Sequence, residues 1–310
     1  MNNPTKNQHY IPQVYLRGFS PEYLNKNHKH IDERKYRIFS YNLNKDEKVG
    51  NPIPVKSICY EKDLYEIKDN NGKAIFTNFL EKWFCYFESK FSYYRSMLER
   101  KAFIEYNFST MCFLKSEEKI FWSLYIVIQN LRMPQMLTMA EKVIQEVFSD
   151  KIDSNLSKTI SKVWCLPFFK EIKGDERELD VFKLLLEPFE NMTFAVGFDE
   201  KARIITSDLP FSIMGDLRDD YKIEYDRIMF PITAQICLCM FNKKRYTSYK
   251  KNCLFKIDEK IREEIFKNIS RAAYERVYSN HFITEKEMLW ISEIQSFREL
   301  KTAERRGLIV

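Results

Sequence analysis

"TFAVGFDEKARIIT" (193–206) is the stretch on which the fold class turns. Six apolar or small residues in a row are followed by the polar run "DEKA" (199–202) and then by "RIIT" (203–206), which reads as strand, turn, strand. "DRIMFPI" (226–232) and "QICLCMF" (235–241) repeat the pattern. An antiparallel sheet is therefore expected over about 193–241, so the chain is not all-helical.

Upstream the apolar period is that of helices. From residue 74 to about 100, Phe76, Leu80, Trp83, Phe84, Phe87, Phe91 and Tyr94 fall on one stripe at three- and four-residue spacing. Ser116 with Glu117 and Glu118 can start a second helix that runs to about Leu131, with Pro134 ending it. Further helices are expected at 136–149 and 175–190, giving a helical region over 74–190. Toward the N-terminus, "KYRIFSYN" (35–42) and "SICYEKDLYEI" (57–67) read as short strands, "KDNNGK" (68–73) as a turn before a helix, and 1–70 as a small irregular β layer. Beyond the sheet, "IDEKIREEIFKNISRAAYERVYS" (257–279) is a helix that Asp258 can cap, with Ile261, Ile265, Ile269 and Ala273 on one face. C-terminal helices fill 257–300. The expectation is one α+β domain over 1–310, predominantly helical, with the β layer at one end and the sheet around 193–241.

Composition agrees with a globular chain of 310 residues: 45% hydrophobic and 30% charged, with 7 Gly and 10 Pro. The formal charge of +6 is spread along the chain, so it permits a polyanionic partner without demanding one. The 7 Cys show no C-x-x-C pair, and Cys237 and Cys239 alternate within an apolar strand as buried thiols. "MNNPTKNQHY" carries no apolar signal region, and "IFWSLYIVIQNL" (120–131) is about half a membrane span. A cytoplasmic protein without membrane partners is expected.

Chemistry-bearing residues concentrate in "NQHYIPQVYLRGFS" (7–20). Pro12 suits the first turn of a short helix and Gly18 its end, and Gln13 and Arg17 share a face. His9 and Tyr10 lie just ahead of a helix start that favours an anion. The plainer account is that Tyr10, Val14, Leu16 and Phe19 anchor the terminus in the core. "IITSDLPF" (204–211) sets Ser207 and Asp208 at a strand end, where they either present a reactive group or close an Asx-type turn. Glu81 and Glu88, seven apart on the aromatic helix, can bind a cation, hold an arginine or pair with nearby lysines. Arg132 ends the long core helix, where the helix dipole favours it. No P-loop, G-x-G-x-x-G, H-E-x-x-H, zinc-type Cys/His cluster or deaminase signature occurs. Only 4 His exist, among them His28 and His30 in an Asn- and Lys-rich loop and His281 by itself.

The order of these pieces is "HYIPQVYLRGF", "YRIFSYN", "ICYEKDLYE", "LEKWFCYFE", "NLRMP", "ITSDLPF" and "FPIT". This succession resembles the bacterial domain-of-unknown-function family 4238, over roughly residues 7 to 280. By that resemblance His9, Tyr10, Pro12, Leu16, Arg17 and Phe19 match a first motif, and Ser207, Asp208 and Pro210 a second. The family label implies no activity, but the motif residues include His, Arg and Asp, which points to a site.

Two functional readings follow. One is a phosphodiester-cleaving, nuclease-like enzyme, in a defence or toxin setting. His9 would be its acid or base, Arg17 would stabilise phosphate charge, and Asp208 would orient His9 or bind a metal. Tyr10, Gln13, Ser207 and Arg132 would contact the substrate, a nucleic acid. A divalent metal is its candidate cofactor, with Asp208, Glu81 and Glu88 as candidate ligands. The other is a non-catalytic module that grips a small anionic ligand or a protein partner. The first requires His9, Arg17 and Asp208 to share a cleft.

Overall fold

The computed structural model describes residues 7–25, 32–45, 47–48, 50–69, 71–105, 113–148, 153–163, 186–217, 223–246 and 252–305. His28, His30 and most of the helix expected at 175–190 lie outside the described residues, although 186–190 are helical. The strands are β1 (Asn7–His9), β2 (Arg37–Asn42), β3 (Glu47–Lys48), β4 (Ile53–Pro54), β5 (Tyr60–Lys62), β6 (Ile67–Lys68), β7 (Ala74–Phe76), β8 (Met192–Phe198), β9 (Thr206–Ser207), β10 (Ser212–Leu217), β11 (Ile223–Pro231), β12 (Ile236–Asn242), β13 (Cys253–Lys256) and β14 (Arg276–Ser279). The α-helices are α1 (Gln13–Leu16), α2 (Pro21–Leu24), α3 (Phe79–Glu105), α4 (Ser116–Leu131), α5 (Pro134–Phe148), α6 (Ser154–Val163), α7 (Glu259–Ala272) and α8 (Glu285–Arg305). The class is α+β. The chain forms two compact units, each assembled from separate segments.

The first unit comprises Met1–Pro12, Cys59–Tyr94 and Ser116–Glu190. Its β1 pairs antiparallel with β5, His9 opposite Tyr60, and β6 and β7 form a hairpin whose turn places Gly72 at φ 77°. A strand therefore stands where the aromatic helix was expected to begin, and the helix starts at Phe79. Leu80, Phe84, Phe87 and Phe91 are buried at three- and four-residue spacing, and Phe91 packs on Trp122 (5.7 Å) and Tyr125 (4.7 Å) of α4. Nearly all of α4 from Phe121 to Leu131 is buried, so even its Gln129 must find an internal partner. Pro134 does more than end α4: it is the first residue of α5, where a missing N–H costs nothing.

The second unit comprises Gln13–Ile58, Arg95–Lys115 and Asn191–Val310. Its main sheet has the order β10-β11-β12-β8-β13, antiparallel except for the parallel β13–β8 pair. Every residue of β8 and β12 is buried, the mark of strands covered on both faces. Asn252 protects the β13 edge. Its backbone N–H donates to Phe194, and its side chain accepts from the Leu114 N–H and donates to the Leu114 carbonyl. A second sheet orders β3-β2-β14-β9, with β4 also on β2.

"RIIT" thus supplies only the short β9, which joins this second sheet and not the strand of "TFAVGF". Helix α7 stops at Ala272, and the chain turns into β14, which the helical period had absorbed. Asp258 does cap α7, accepting from the Ile261 N–H. Ile265, Ile269 and Ala273 pack in a core with Tyr41, Ile205, Cys237, Cys239, Trp290 and Ile291. Among the described residues no helix is long and apolar enough to cross a membrane.

Candidate functional site

In the second unit the motif side chains are engaged by neighbours. Helix α1 is four residues long, which leaves little dipole to hold an anion. Gln13 opens it and is half-buried. Arg17 forks both carboxylate oxygens of Glu33 (2.7 and 2.8 Å) and lies 5.6 Å from the Tyr36 ring centre. Ser207 donates to the Leu209 carbonyl and closes a turn. The Asp208 carboxylate accepts three backbone N–H groups, from Tyr274 (2.8 Å), Glu275 (2.7 Å) and Arg276 (2.9 Å). Its own N–H donates to the Arg276 carbonyl. Asp208 thus laces the entry of β14 to the end of β9.

In the first unit the five other predicted residues, His9, Tyr10, Glu81, Glu88 and Arg132, are found. Arg132 is 3% exposed and spends its guanidinium entirely inside. It donates to Glu88 Oε1 (3.1 Å), the His9 carbonyl (2.6 Å) and the Tyr65 hydroxyl (3.4 Å), and it lies 4.1 Å from the Phe84 ring centre. Burial works against its charge, but Tyr65, Glu88 and Glu81 outweigh it and hold the guanidinium above its ordinary range. His9 packs its ring on Tyr60 at 5.5 Å. Tyr10 is tied through its backbone, donating to Cys59 and accepting from Gln129 Nε2 (2.7 Å).

Two members of this cluster, Gln8 and Glu66, carry no mark in the residue pattern. Gln8 is wholly buried, accepts from the Tyr65 N–H (2.6 Å) and donates to Glu66 Oε1 (2.8 Å). Glu66 is 2% exposed. Its Oε1 also accepts from Asn78 N–H (3.1 Å), a residue at φ 55° that asparagine tolerates, and its carbonyl accepts from Lys162 Nζ (2.8 Å). Burial, with Lys68 nearby, pushes the Lys162 ammonium below its ordinary pKa. Both Glu66 Oε2 and Glu81 Oε1 are buried with no hydrogen-bond partner among the described residues. Glu81 is the chemically distinctive one. Burial, opposed by Arg132 and reinforced by Glu88 and Glu66, pushes its carboxyl up to about 7. Gln8 and Glu66 were missed because "NQH" and "LYEI" carry no period that marks their polar side chains as inward; Gln8 lies on β1, and its amide meets Tyr65 and Glu66 in the segment after β5.

Glu88 holds an arginine, one of the roles open to it from sequence. Among the described residues no three His, Cys, Asp or Glu side chains come together as metal ligands. The two unpartnered oxygens leave acceptor capacity inside the cluster, and a raised carboxyl of this kind is common at functional sites.

A family model described as "Protein of unknown function (DUF4238)" matches residues 7–281. The chain belongs to the DUF4238 family. Comparison with curated proteins and with solved structures gives no match. The DUF4238 match opens at the first residue of β1 and closes at His281, just past β14, so it takes in the Glu81 cluster and the Asp208 lacing alike.

Proposed function

We propose that this DUF4238 protein is a hydrolytic enzyme that works by general acid–base catalysis, with Glu81 as the group that moves the proton. One observation carries the reading: a carboxyl with a pKa near 7 whose Oε1 is out of solvent and has no partner among the described residues. A carboxylic acid in that state gives its proton to a leaving oxygen and, once ionised, takes one from water. Arg132 and Glu88 set the local charge, and Glu66 offers a second acceptor. Phosphodiester cleavage is the reaction class to test first, because the chain carries a net +6. The surplus of glutamates over Arg132 in the cluster also puts neutral substrates in the panel.

The test is a cleavage screen of single- and double-stranded RNA and DNA, a chromogenic phosphodiester, a neutral ester and glycosides, with and without divalent metal. Parent, Glu81→Gln and Glu81→Ala are compared after a check of folding. Turnover whose pH profile has a limb near pH 7, with a loss of at least about 100-fold in Glu81→Gln, supports the assignment. Turnover indifferent to Glu81, or none on any substrate, sinks it. The engagement of Arg17 and Asp208 by internal partners supports the plainer account of the sequence motifs, that they pack the fold, over an anion grip at Arg17.

A further inference from the structure

The second unit contains a cleft of about 210 Å³ whose walls come from α2, the last turns of α3, the end of β8 and the turn into β12. Its apolar walls include Phe103, Phe198 and Ile236; its polar groups are Tyr23, Glu99 and Gln235. The volume falls below the roughly 300–1,000 Å³ of drug-sized sites and suits one compact ring system.

The polar groups are set in advance. Tyr23 donates its hydroxyl to both oxygens of Glu99 (3.0 Å each). Burial, opposed by Arg95 and reinforced by Glu99, holds the Tyr23 phenol above its ordinary pKa, so it stays a donor and leaves Glu99 an acceptor. The Arg95 guanidinium lies 4.7 Å from the Tyr23 ring centre and offsets the Glu99 charge, which favours a neutral occupant over a cation. The Gln235 backbone is pinned: its N–H donates to Thr233 Oγ1 (3.2 Å) and its carbonyl accepts from the Asp199 N–H (2.7 Å). The Gln235 side-chain amide makes no hydrogen bond among the described residues, so a donor and an acceptor remain available in the cleft that Glu99 also lines.

An unengaged amide on a pinned backbone, a carboxylate acceptor and aromatic walls ask for a flat, neutral molecule with an amino group next to a ring nitrogen. Glutamine pairs in two-point fashion with the amino group and N7 of adenine, and a carboxylate accepts from an exocyclic amine. The exposed ring of Phe103, at 66%, offers a face on which a base can stack. We infer that this cleft binds an amino-bearing purine of the adenine class, with Gln235 reading its edge and Glu99 accepting from its amine. None of these residues belongs to the Glu81 cluster, so this inference and the proposed reaction stand or fall separately.

The probes are adenosine and inosine, which places a carbonyl where adenosine has the amine. Titration calorimetry on the full chain should show adenosine binding at least about tenfold tighter than inosine, since a carbonyl facing Glu99 is left unpaired. Gln235→Ala, whose lost amide holds nothing in the fold, should weaken adenosine by about tenfold or more. Glu99→Gln, which keeps the side chain's shape, should narrow the preference for adenosine. No adenosine binding at millimolar concentration, equal binding of the two nucleosides, or full binding by Gln235→Ala would each overturn the assignment.

Discussion

At the scale of single residues, Glu81 is a group that folding disfavours in its charged form. Its carboxyl is pushed from 4.5 to about 7, so between those values the folded chain binds more protons than the unfolded one. Stability is therefore highest below about pH 4.5 as far as this group is concerned, falls as pH rises toward 7, and stays low above it. Glu81→Gln removes that charge. It should be more stable than the parent at pH 8, by on the order of 2 kcal/mol, and nearly indistinguishable at pH 4.5. Urea midpoints at the two pH values check this, and equal offsets at both would contradict it. Asp199 is held on every side by hydrogen bonds. It is wholly buried, accepts from the Lys201 and Arg203 N–H groups (3.0 Å each), and forks the buried Arg262 at 2.8 and 2.9 Å. Asp199→Ala strands that guanidinium and should cost about 3–5 kcal/mol, with Arg262→Met in the same chain recovering part of the loss. Additive losses in the double variant would mean that the pair is not the cause.

Between elements, two carboxylates tie later parts of the chain to earlier ones. Asp208 holds the entry of β14 by three amides, so in Asp208→Asn a donor faces a donor whichever way the new amide turns. The expected loss is about 2 kcal/mol, read as a lower thermal midpoint. Glu287 near the start of α8 accepts from the Thr284 N–H (2.8 Å) and hydroxyl (2.9 Å) and faces His281 Nε2 at 3.0 Å. Burial pushes its carboxyl up, but the His281 and Thr284 hydrogen bonds and the His281 charge outweigh it and hold the group below 4.5. A depressed acid stabilises above its unfolded value and loses that contribution as pH falls through its folded one. Amide exchange in α8 should therefore accelerate in the parent as pH falls below 4.5, relative to Glu287→Gln. An identical pH dependence in both would refute the tie.

These elements also mark what was legible in the residues. β8 and β12 show as unbroken apolar runs because both their faces are covered, the aromatic face of α3 shows as a helical period, and the Asp258 cap shows as a single residue type ahead of a helix. β9, β13 and β14 are two to four residues long and have no period of their own; pairing defines them. The same holds for the site. Glu81 and Glu88 sit on α3, and Arg132 directly follows α4, helices whose faces can be counted, whereas Gln8 lies on a three-residue strand and Glu66 between two short ones.

Across the whole molecule, α8 lies beyond the stretch that the family model matches, yet its Trp290, Ile291 and Ile294 are at most 5% exposed, the first two within the central core of the second unit. Truncation after Thr284 uncovers that core. Each buried side chain is worth about 1.5–3 kcal/mol, which together approaches the 5–15 kcal/mol that holds a domain folded. The truncated chain should lose its cooperative unfolding transition; retention of a parent-like midpoint would show α8 to be dispensable.

The weaving of the second unit has a consequence for biosynthesis. Asn42 at the end of β2 donates to Glu275, 233 residues further along, and β2 lies between β3 and β14 in its sheet. At translation speeds of about 5–20 residues per second, β2 leaves the ribosome tens of seconds before the strand that completes it exists. During that interval its inner edge is unsatisfied on a nascent chain, a natural client for a holdase. Nascent chains arrested before residue 276 should remain protease-sensitive at β2 and become protected only once β14 has emerged.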